Sequence, residues 1–261
     1  MERSVAFSLA DAGAPARRAF SLAIAASAAC AGHGSARALD ACTAASTRSV
    51  APVVELYTSE GCNSCPPADR WLSALKSRPD VVGLAFHVDY WDRLGWKDRF
   101  ASAEFTRRQG EQQSVNGARF SYTPQVVVDG HDRKDWPRAN VGNERAKAPV
   151  SIELAHDGAN VSAKIEAGPD APLRLAAYWA VTEFGHRSAV KAGENEGVTL
   201  DHDYVVREYV PISAWTVQRG AAQKLSFTPS VAADPAHPRK VNLVVIDAAS
   251  GRPLQALGLG C

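Results

Sequence analysis

The sequence has little net charge, no internal repeat and no long hydrophobic run. Its formal net charge is +1 over 261 residues, so the molecule as a whole has no strong field to attract nucleic acid or an acidic membrane surface. The apolar stretch at 19–31 is shorter than the roughly 20 residues that a membrane-spanning helix needs. We therefore expect no nucleic-acid partner and no membrane span in the mature protein.

A second close pair of metal ligands is also missing. Beside the C-x-x-C at 62–65, the sequence has no other C-x-x-C and no H-x-x-x-H, whereas a four-ligand zinc site normally combines two such pairs. The hydrophobic share of 46% and the charged share of 22% are typical of a folded globular protein. Our first interpretation is therefore a globular protein that needs neither a cofactor nor a metal.

Residues 1–38 have the pattern of an export signal. Arg17 and Arg18 precede the apolar stretch, and Ala36-Arg37-Ala38 offers a small-residue cleavage site. The two arginines also resemble a twin-arginine signal. The sequence thus predicts a periplasmic or secreted protein.

Export changes how the five cysteines are interpreted. Cleavage after residue 38 removes Cys30, and an even number in an oxidising compartment favours disulfides. The simplest pairing joins Cys62 to Cys65 and Cys42 to Cys261, the latter as a structural disulfide near the two ends of the mature chain. The alternative leaves Cys42 and Cys261 as separate thiols.

Two segments of the mature chain differ in pattern. In 39–149, β-rich runs at 53–58, 81–88 and 125–128 alternate with helical patterns at 68–76 and 102–113, which is typical of an α/β domain. In 150–261 several short strands follow one another, beginning with a hairpin around 156–159. This second segment predicts a β-rich, antiparallel sandwich domain.

The C-x-x-C lies between a predicted strand and a predicted helix. The N-terminus of a helix favours an anion and therefore the reactive thiolate form of a cysteine. Pro66 suits the first helical turn, where its missing N–H would have had no partner. This position favours thiol–disulfide chemistry by Cys62 and Cys65.

Thr123-Pro124, just before the strand at 125–128, completes a resemblance to the thioredoxin superfamily. The resemblance implies a cis peptide bond at Pro124 and a position beside the cysteine pair. It also implies that Cys62 is the attacking thiol and Cys65 the resolving one. Thr123 would bind an extended substrate through its backbone, and Pro124 would shape that contact.

A closer resemblance runs through most of the mature chain. The strings ELYTSEGC at 55–62, HVDYWD at 87–92 and GWKD at 95–98 resemble a bacterial family of secreted thioredoxin-like proteins of unknown function. The similarity continues through GEN at 193–195 and VVR at 205–207. It implies an α/β thioredoxin-like domain, without an established reaction.

Three further features allow two interpretations each. His87 is either a third copper ligand with Cys62 and Cys65, or a buried strand histidine bonded to a neighbour. Trp91, in the aromatic loop 89–98, either contacts substrate or anchors that loop together with Trp96, with Asp98 capping the next helix. The loop 193–197, together with His202 and Arg207, either docks a partner or covers the redox face, or is an ordinary turn.

These observations predict an exported thiol–disulfide oxidoreductase. It would act on protein or small-molecule thiols, with a thiol or disulfide protein as substrate and a further redox partner. One alternative is a copper-binding or copper-delivery protein that uses Cys62, Cys65 and His87. Another is a non-catalytic module that binds a partner through its β-rich half.

Overall fold

A computed structural model describes residues 42–142 and 145–261 of the protein. The predicted export signal at 1–38, with Arg17, Arg18 and Cys30, lies outside the described residues. No helix among the described residues is long and apolar enough to cross a membrane.

The described residues contain two α-helices, α1 at Pro66–Ala74 and α2 at Ala103–Val115. The remaining regular structure is β-strand, apart from short 3₁₀ turns. The strands are β1 Thr43–Ala45, β2 Val53–Thr58, β3 Val82–His87, β4 Gln125–Val128, β5 His131–Asp132, β6 Val150–Asp157, β7 Asn160–Ala167, β8 Arg174–Glu183, β9 His186–Ala189, β10 Thr199–His202, β11 Val205–Thr216, β12 Gln223–Phe227, β13 Arg239–Asp247 and β14 Pro253–Leu259.

An eight-stranded mixed sheet forms the centre of the fold, in the order β14-β13-β8-β11-β3-β2-β4-β5. Its parallel pairs are β2 with β3 and β3 with β11, and its other neighbours are antiparallel. A four-stranded sheet in the order β1-β6-β7-β12 and the hairpin β9–β10 complete the architecture.

The predicted fold class, an α/β thioredoxin-like domain followed by a sandwich domain, is wrong. The described chain is mainly β, with two α-helices, and strands from 39–149 and from 150–261 share the eight-stranded sheet. The strands predicted at 53–58, 81–88 and 125–128, the two helices and the hairpin around 156–159 were located correctly from the sequence. The error arose because periodicity identifies an element locally but does not say which sheet edge it joins.

Helices cover both faces of the sheet around β2, β3 and β4. Every residue of these three strands is buried, as expected for strands packed on both sides. Leu56 and Val126 pack with Leu72 of α1 on one face. Phe86 packs edge-on against Phe105 of α2 on the other face.

The four-stranded sheet packs against the β8–β13 part of the large sheet. Its hairpin β6–β7 confirms the predicted turn and alternates buried and exposed residues. The buried positions, such as Ile152 and Ile165, meet Trp179 and Leu243 in one core. Alternation of this kind is expected where one face of a sheet is packed and the other faces water.

Strands from the first half of the chain, β2–β5, and strands from the second half, β8, β11, β13 and β14, meet where β11 pairs with β3. Val205 pairs with Ala85, and the Ala85 N–H donates to the Tyr204 carbonyl at 2.8 Å. Tyr204 has a positive φ of 58°, and a Cβ on Gly83 would lie 2.8 Å from its ring. Gly83 therefore provides the space that the Tyr204 ring occupies.

A buried ion pair attaches α2 to the sheet. The Arg108 guanidinium donates to Glu55 Oε1 at 2.6 Å, and Tyr57 and Tyr178 donate their hydroxyls to the same carboxylate. The cation also lies 4.6 Å from the centre of the Tyr178 ring. These contacts compensate the cost of burying both charges.

We expect Arg108→Ala to lower the free energy of unfolding by about 3–5 kcal/mol, because the Glu55 carboxylate would stay buried without its counter-charge. Denaturant unfolding measures the change. Arg107→Ala is the matched control, since its side chain is exposed on the same helix, and we expect a change below about 0.5 kcal/mol. Equal effects of the two substitutions would contradict this interpretation.

Candidate functional site

Cys62 and Cys65 form a disulfide at the N-terminus of α1, with their Cα atoms 5.4 Å apart. The chain leaves β2 at Thr58, turns through the cysteine loop, and begins α1 at Pro66 with Cys65 as the N-cap residue. The Cys65 carbonyl accepts from the N–H groups of Ala68 and Asp69. The prediction that α1 begins directly after the pair is therefore confirmed.

Both cysteines are completely buried, with 0% of either residue exposed. The loop that holds them is tightly packed, since a Cβ on Gly61 would lie 3.0 Å from the Cβ of Trp91. Ser64, in contrast, is exposed, and its hydroxyl lies 3.3 Å from the Cys62 sulfur. A partner sulfur can reach the disulfide only after neighbouring groups have moved.

Residues 193–197, which we call the strap, are bonded to the cysteine loop. The buried Asn195 side chain donates to the carbonyls of Glu60 at 2.9 Å and Cys62 at 3.0 Å. Glu194 accepts from the Asn63 N–H at 3.1 Å. The strap is thus hydrogen-bonded to the backbone of the cysteine loop, and Gly193 and Gly197 have positive φ, as expected for the turn that one of the two interpretations predicted.

Thr123 and Pro124 lie beside the cysteine loop. Their peptide bond is cis, as the resemblance implied, and the Ser64 hydroxyl donates to the Thr123 carbonyl at 3.5 Å. The Trp91 indole N–H donates to Thr123 Oγ1 at 2.8 Å. The structure therefore brings the three predicted substrate-binding residues next to one another and next to the cysteine loop.

His87 belongs to a buried polar cluster behind the loop. Its Nδ1 donates to Asp98 at 2.6 Å. Asp98 does not cap α2; the cap is the Ser102 hydroxyl, which accepts from the Glu104 N–H. Among the described residues, the potential metal ligands that lie within 4.8 Å of one another are Asp69, His87 and His202. That group includes His87 but neither Cys62 nor Cys65, which form a disulfide.

Glu60 and His202 extend the cluster. The Glu60 carboxylate accepts from the Trp96 indole at 2.6 Å and lies 3.3 Å from His202 Nε2. Trp96 therefore anchors the aromatic loop to the residue two places before Cys62. Asp69, in turn, accepts from Thr58 Oγ1 at 3.0 Å.

Burial and neighbouring charges shift the ionisation of these groups. Burial raises the pKa of Asp69 despite the two nearby imidazoles. Burial opposes a charge on His87, but the carboxylates of Asp98, Asp69 and Glu60 outweigh it and raise the pKa of the imidazole. Burial opposes ionisation of Asp98, but His87 and the backbone N–H groups of Glu60 and Phe100 together outweigh it and lower the pKa of the carboxyl group.

Sequence reasoning missed Glu60 and Asp69 as members of the site, and it considered Asn195 and His202 only as part of a segment that docks a partner or covers the redox face. Glu60 and Asp69 flank the cysteine pair, so their closeness in sequence was a usable signal. Asn195 and His202 lie more than a hundred residues downstream, and their position depends on how β11 joins β3. The spacing of residues in the sequence does not predict the pairing of β11 with β3.

The second disulfide joins Cys42 to Cys261, with Cα atoms 6.2 Å apart. The Cys42 carbonyl accepts from the His156 N–H at 2.8 Å, next to the pairing of β1 with β6. This bond therefore links the strand β1 region to the residues after β14.

The chain belongs to the DUF1223 family, described as "Protein of unknown function", whose model matches residues 53–246. The resemblance to a family of unknown function is thereby confirmed. A comparison with curated proteins finds no significant match.

Two solved structures resemble this chain. A protein from Agrobacterium tumefaciens, solved by X-ray crystallography, has 27% sequence identity and a TM-score of 0.59, over 82% of this chain and 95% of that one. HBP35 of Porphyromonas gingivalis has 13% identity and a TM-score of 0.57, over 82% of this chain and 76% of that one. At 13% identity, the second likeness concerns the fold alone.

We expect Asn195→Ala to speed reduction of the Cys62–Cys65 disulfide by dithiothreitol. Losing both hydrogen bonds costs the closed strap about 1–3 kcal/mol, which raises the population of open strap by about 5- to 150-fold. Timed thiol alkylation and mass spectrometry measure the rate. Glu196→Ala is the control, because Glu196 is an exposed residue of the strap; equal rates for both variants would contradict a covering role.

Proposed function

We propose that this member of the DUF1223 family is a thiol–disulfide oxidoreductase whose reacting groups are Cys62 and Cys65. The observation that carries the proposal is the disulfide at the start of α1, with Thr123 and Pro124 beside its loop. This local arrangement supports a relationship of the active site to the thioredoxin superfamily. The proposal concerns the site and not the overall fold, which is a mainly β architecture.

The position of the pair favours reactivity of the reduced form. The first N–H groups of a helix have no partner within the helix, and together with the helix dipole they stabilise a negative charge nearby. A thiolate is the nucleophile in disulfide exchange. Reduction of the pair would therefore yield a reactive thiolate without requiring a charged side chain at the site.

The exchange proceeds in two balanced steps. The Cys62 thiolate attacks one sulfur of a partner disulfide, which forms a mixed disulfide and releases the partner's other sulfur as a thiolate. The Cys65 thiolate then attacks the Cys62 sulfur and releases the second partner thiol. The partner disulfide gains two electrons, and the Cys62–Cys65 pair is oxidised to the disulfide; a dithiol protein donor reverses this change.

Access to the pair is part of the proposed mechanism. Because both cysteines are buried, a substrate must first displace the strap from the carbonyls of Glu60 and Cys62. An extended substrate chain would then contact the Thr123 backbone, and Trp91 would form a wall of the exposed groove. These contacts would select a peptide or protein substrate over a small thiol.

We infer that the reaction takes place outside the cytoplasm, in a periplasmic or extracellular compartment. Two observations support this inference: the export pattern of residues 1–38, and a second disulfide between residues 219 positions apart. Such bonds persist in oxidising compartments and are rare in the cytosol.

Substitution of each cysteine separates the two roles. With dithiothreitol as electron source and a fluorescent disulfide peptide as substrate, we expect Cys62→Ser to reduce the rate to that of dithiothreitol alone. The Cys65→Ser variant, reduced first and then freed of dithiothreitol before the peptide is added, should instead accumulate a mixed disulfide on Cys62, because no thiol remains to resolve it. Intact-mass measurement under non-reducing conditions detects this adduct.

The double variant Cys42→Ser/Cys261→Ser is the matched control. It removes the other disulfide and leaves the reacting pair, so we expect it to retain the wild-type rate where it is folded by circular dichroism. The oxidoreductase proposal fails if Cys62→Ser reduces the peptide as fast as the wild type.

A further inference from the structure

We propose that Asp69, His87 and His202 form a binding site for one divalent transition-metal ion, separate from the cysteine pair. The three residues come from α1, the end of β3 and the end of β10. Their potential ligand atoms all lie within 4.8 Å of one another. All three side chains are buried, His87 with 0% and His202 with 3% of the residue exposed.

The imidazole nitrogens supply the first argument. His87 Nε2 and His202 Nδ1 are buried and have no hydrogen-bond partner among the described residues. An unsatisfied buried polar atom is costly and calls for an explanation. A metal ion that accepts both lone pairs removes this cost for two residues at once.

The charges of the cluster supply the second argument. The carboxylates of Glu60, Asp69 and Asp98 are buried around two imidazoles. Within the described part of the chain, the ion-pair partners of Glu60 and Asp98 are these imidazoles alone. A buried carboxylate is unfavourable unless it is compensated, and a divalent cation would give Asp69, for which the described residues provide no ion-pair partner, a counter-charge.

The outer contacts are those of a metal site. His87 donates Nδ1 to Asp98 at 2.6 Å, which directs the opposite nitrogen toward Asp69 and His202. Metal-bound histidines nearly always have such a carboxylate or carbonyl partner. His202 Nε2 lies 3.3 Å from Glu60 Oε1, but these two atoms form no hydrogen bond, so its outer contact is weaker than that of His87.

The donor set selects the class of ion. Two imidazoles and one carboxylate suit Zn²⁺ and other late first-row divalent ions, whereas Ca²⁺ and Mg²⁺ prefer oxygen ligands alone. Bonds of about 2.1 Å in a tetrahedral site place ligand atoms about 3.4 Å apart. The three groups therefore need to move inward slightly on binding.

The test uses the full protein with Cys62–Cys65 kept oxidised, so that this pair offers no thiolate. After treatment with a chelator and removal of any purification tag, Zn²⁺ is titrated by calorimetry and Co²⁺ by visible absorption. We expect one ion per chain, and Co²⁺ bands of an ordered nitrogen–oxygen site.

Three variants locate the ion. His202→Gln should abolish the Co²⁺ bands, because it removes one of three ligands. Asp98→Asn should weaken Zn²⁺ binding by about 10- to 100-fold, as expected for an outer-shell partner. His131→Gln removes an exposed histidine and should bind like the wild type.

Two results would overturn the proposal. One is the absence of Zn²⁺ heat and Co²⁺ bands from the oxidised wild-type protein, a measurement that does not depend on any variant. The other is unchanged binding by His202→Gln. If His202→Gln does not fold, Asp98→Asn and the wild-type stoichiometry decide, and an unchanged affinity in Asp98→Asn then counts against the site.

Discussion

The contact between β3 and β11 is the constraint on which the rest of this structure depends. Through Ala85, Val205 and the Tyr204 carbonyl, it joins two groups of strands into one sheet. The segment before β11 contains both the strap and His202. The same contact therefore places the strap against the cysteine loop and His202 next to Asp69 and His87. A short stretch of backbone pairing thus places most of the long-range part of the site.

Polar groups that are shielded from water surround the disulfide on its inner side. Glu60, Asp69 and Asp98 are buried together with two histidines, and interactions between such groups are stronger than at a surface because the local dielectric is low. The cysteine loop thus has this buried polar cluster near it, and the strap is hydrogen-bonded to its backbone.

The sequence predicted local structure far better than long-range structure. The strand 53–58, the helix start at Pro66 and the β6–β7 hairpin follow from periodicity, proline chemistry and turn residues, which act within a few residues. The fold class was wrong because β8, β11 and β13 extend the sheet of the cysteine segment. The side chain of Glu55 in an apolar strand likewise has a partner, Arg108, that only the tertiary fold brings near.

Gly83 and Tyr204 have a consequence for how this protein tolerates substitution. In most buried strands an alanine is a mild replacement for glycine, but here the added methyl group would collide with the Tyr204 ring. The two positions depend on each other sterically, because the Tyr204 ring occupies the space that a side chain at position 83 would need. Variation at either position is therefore limited by the other.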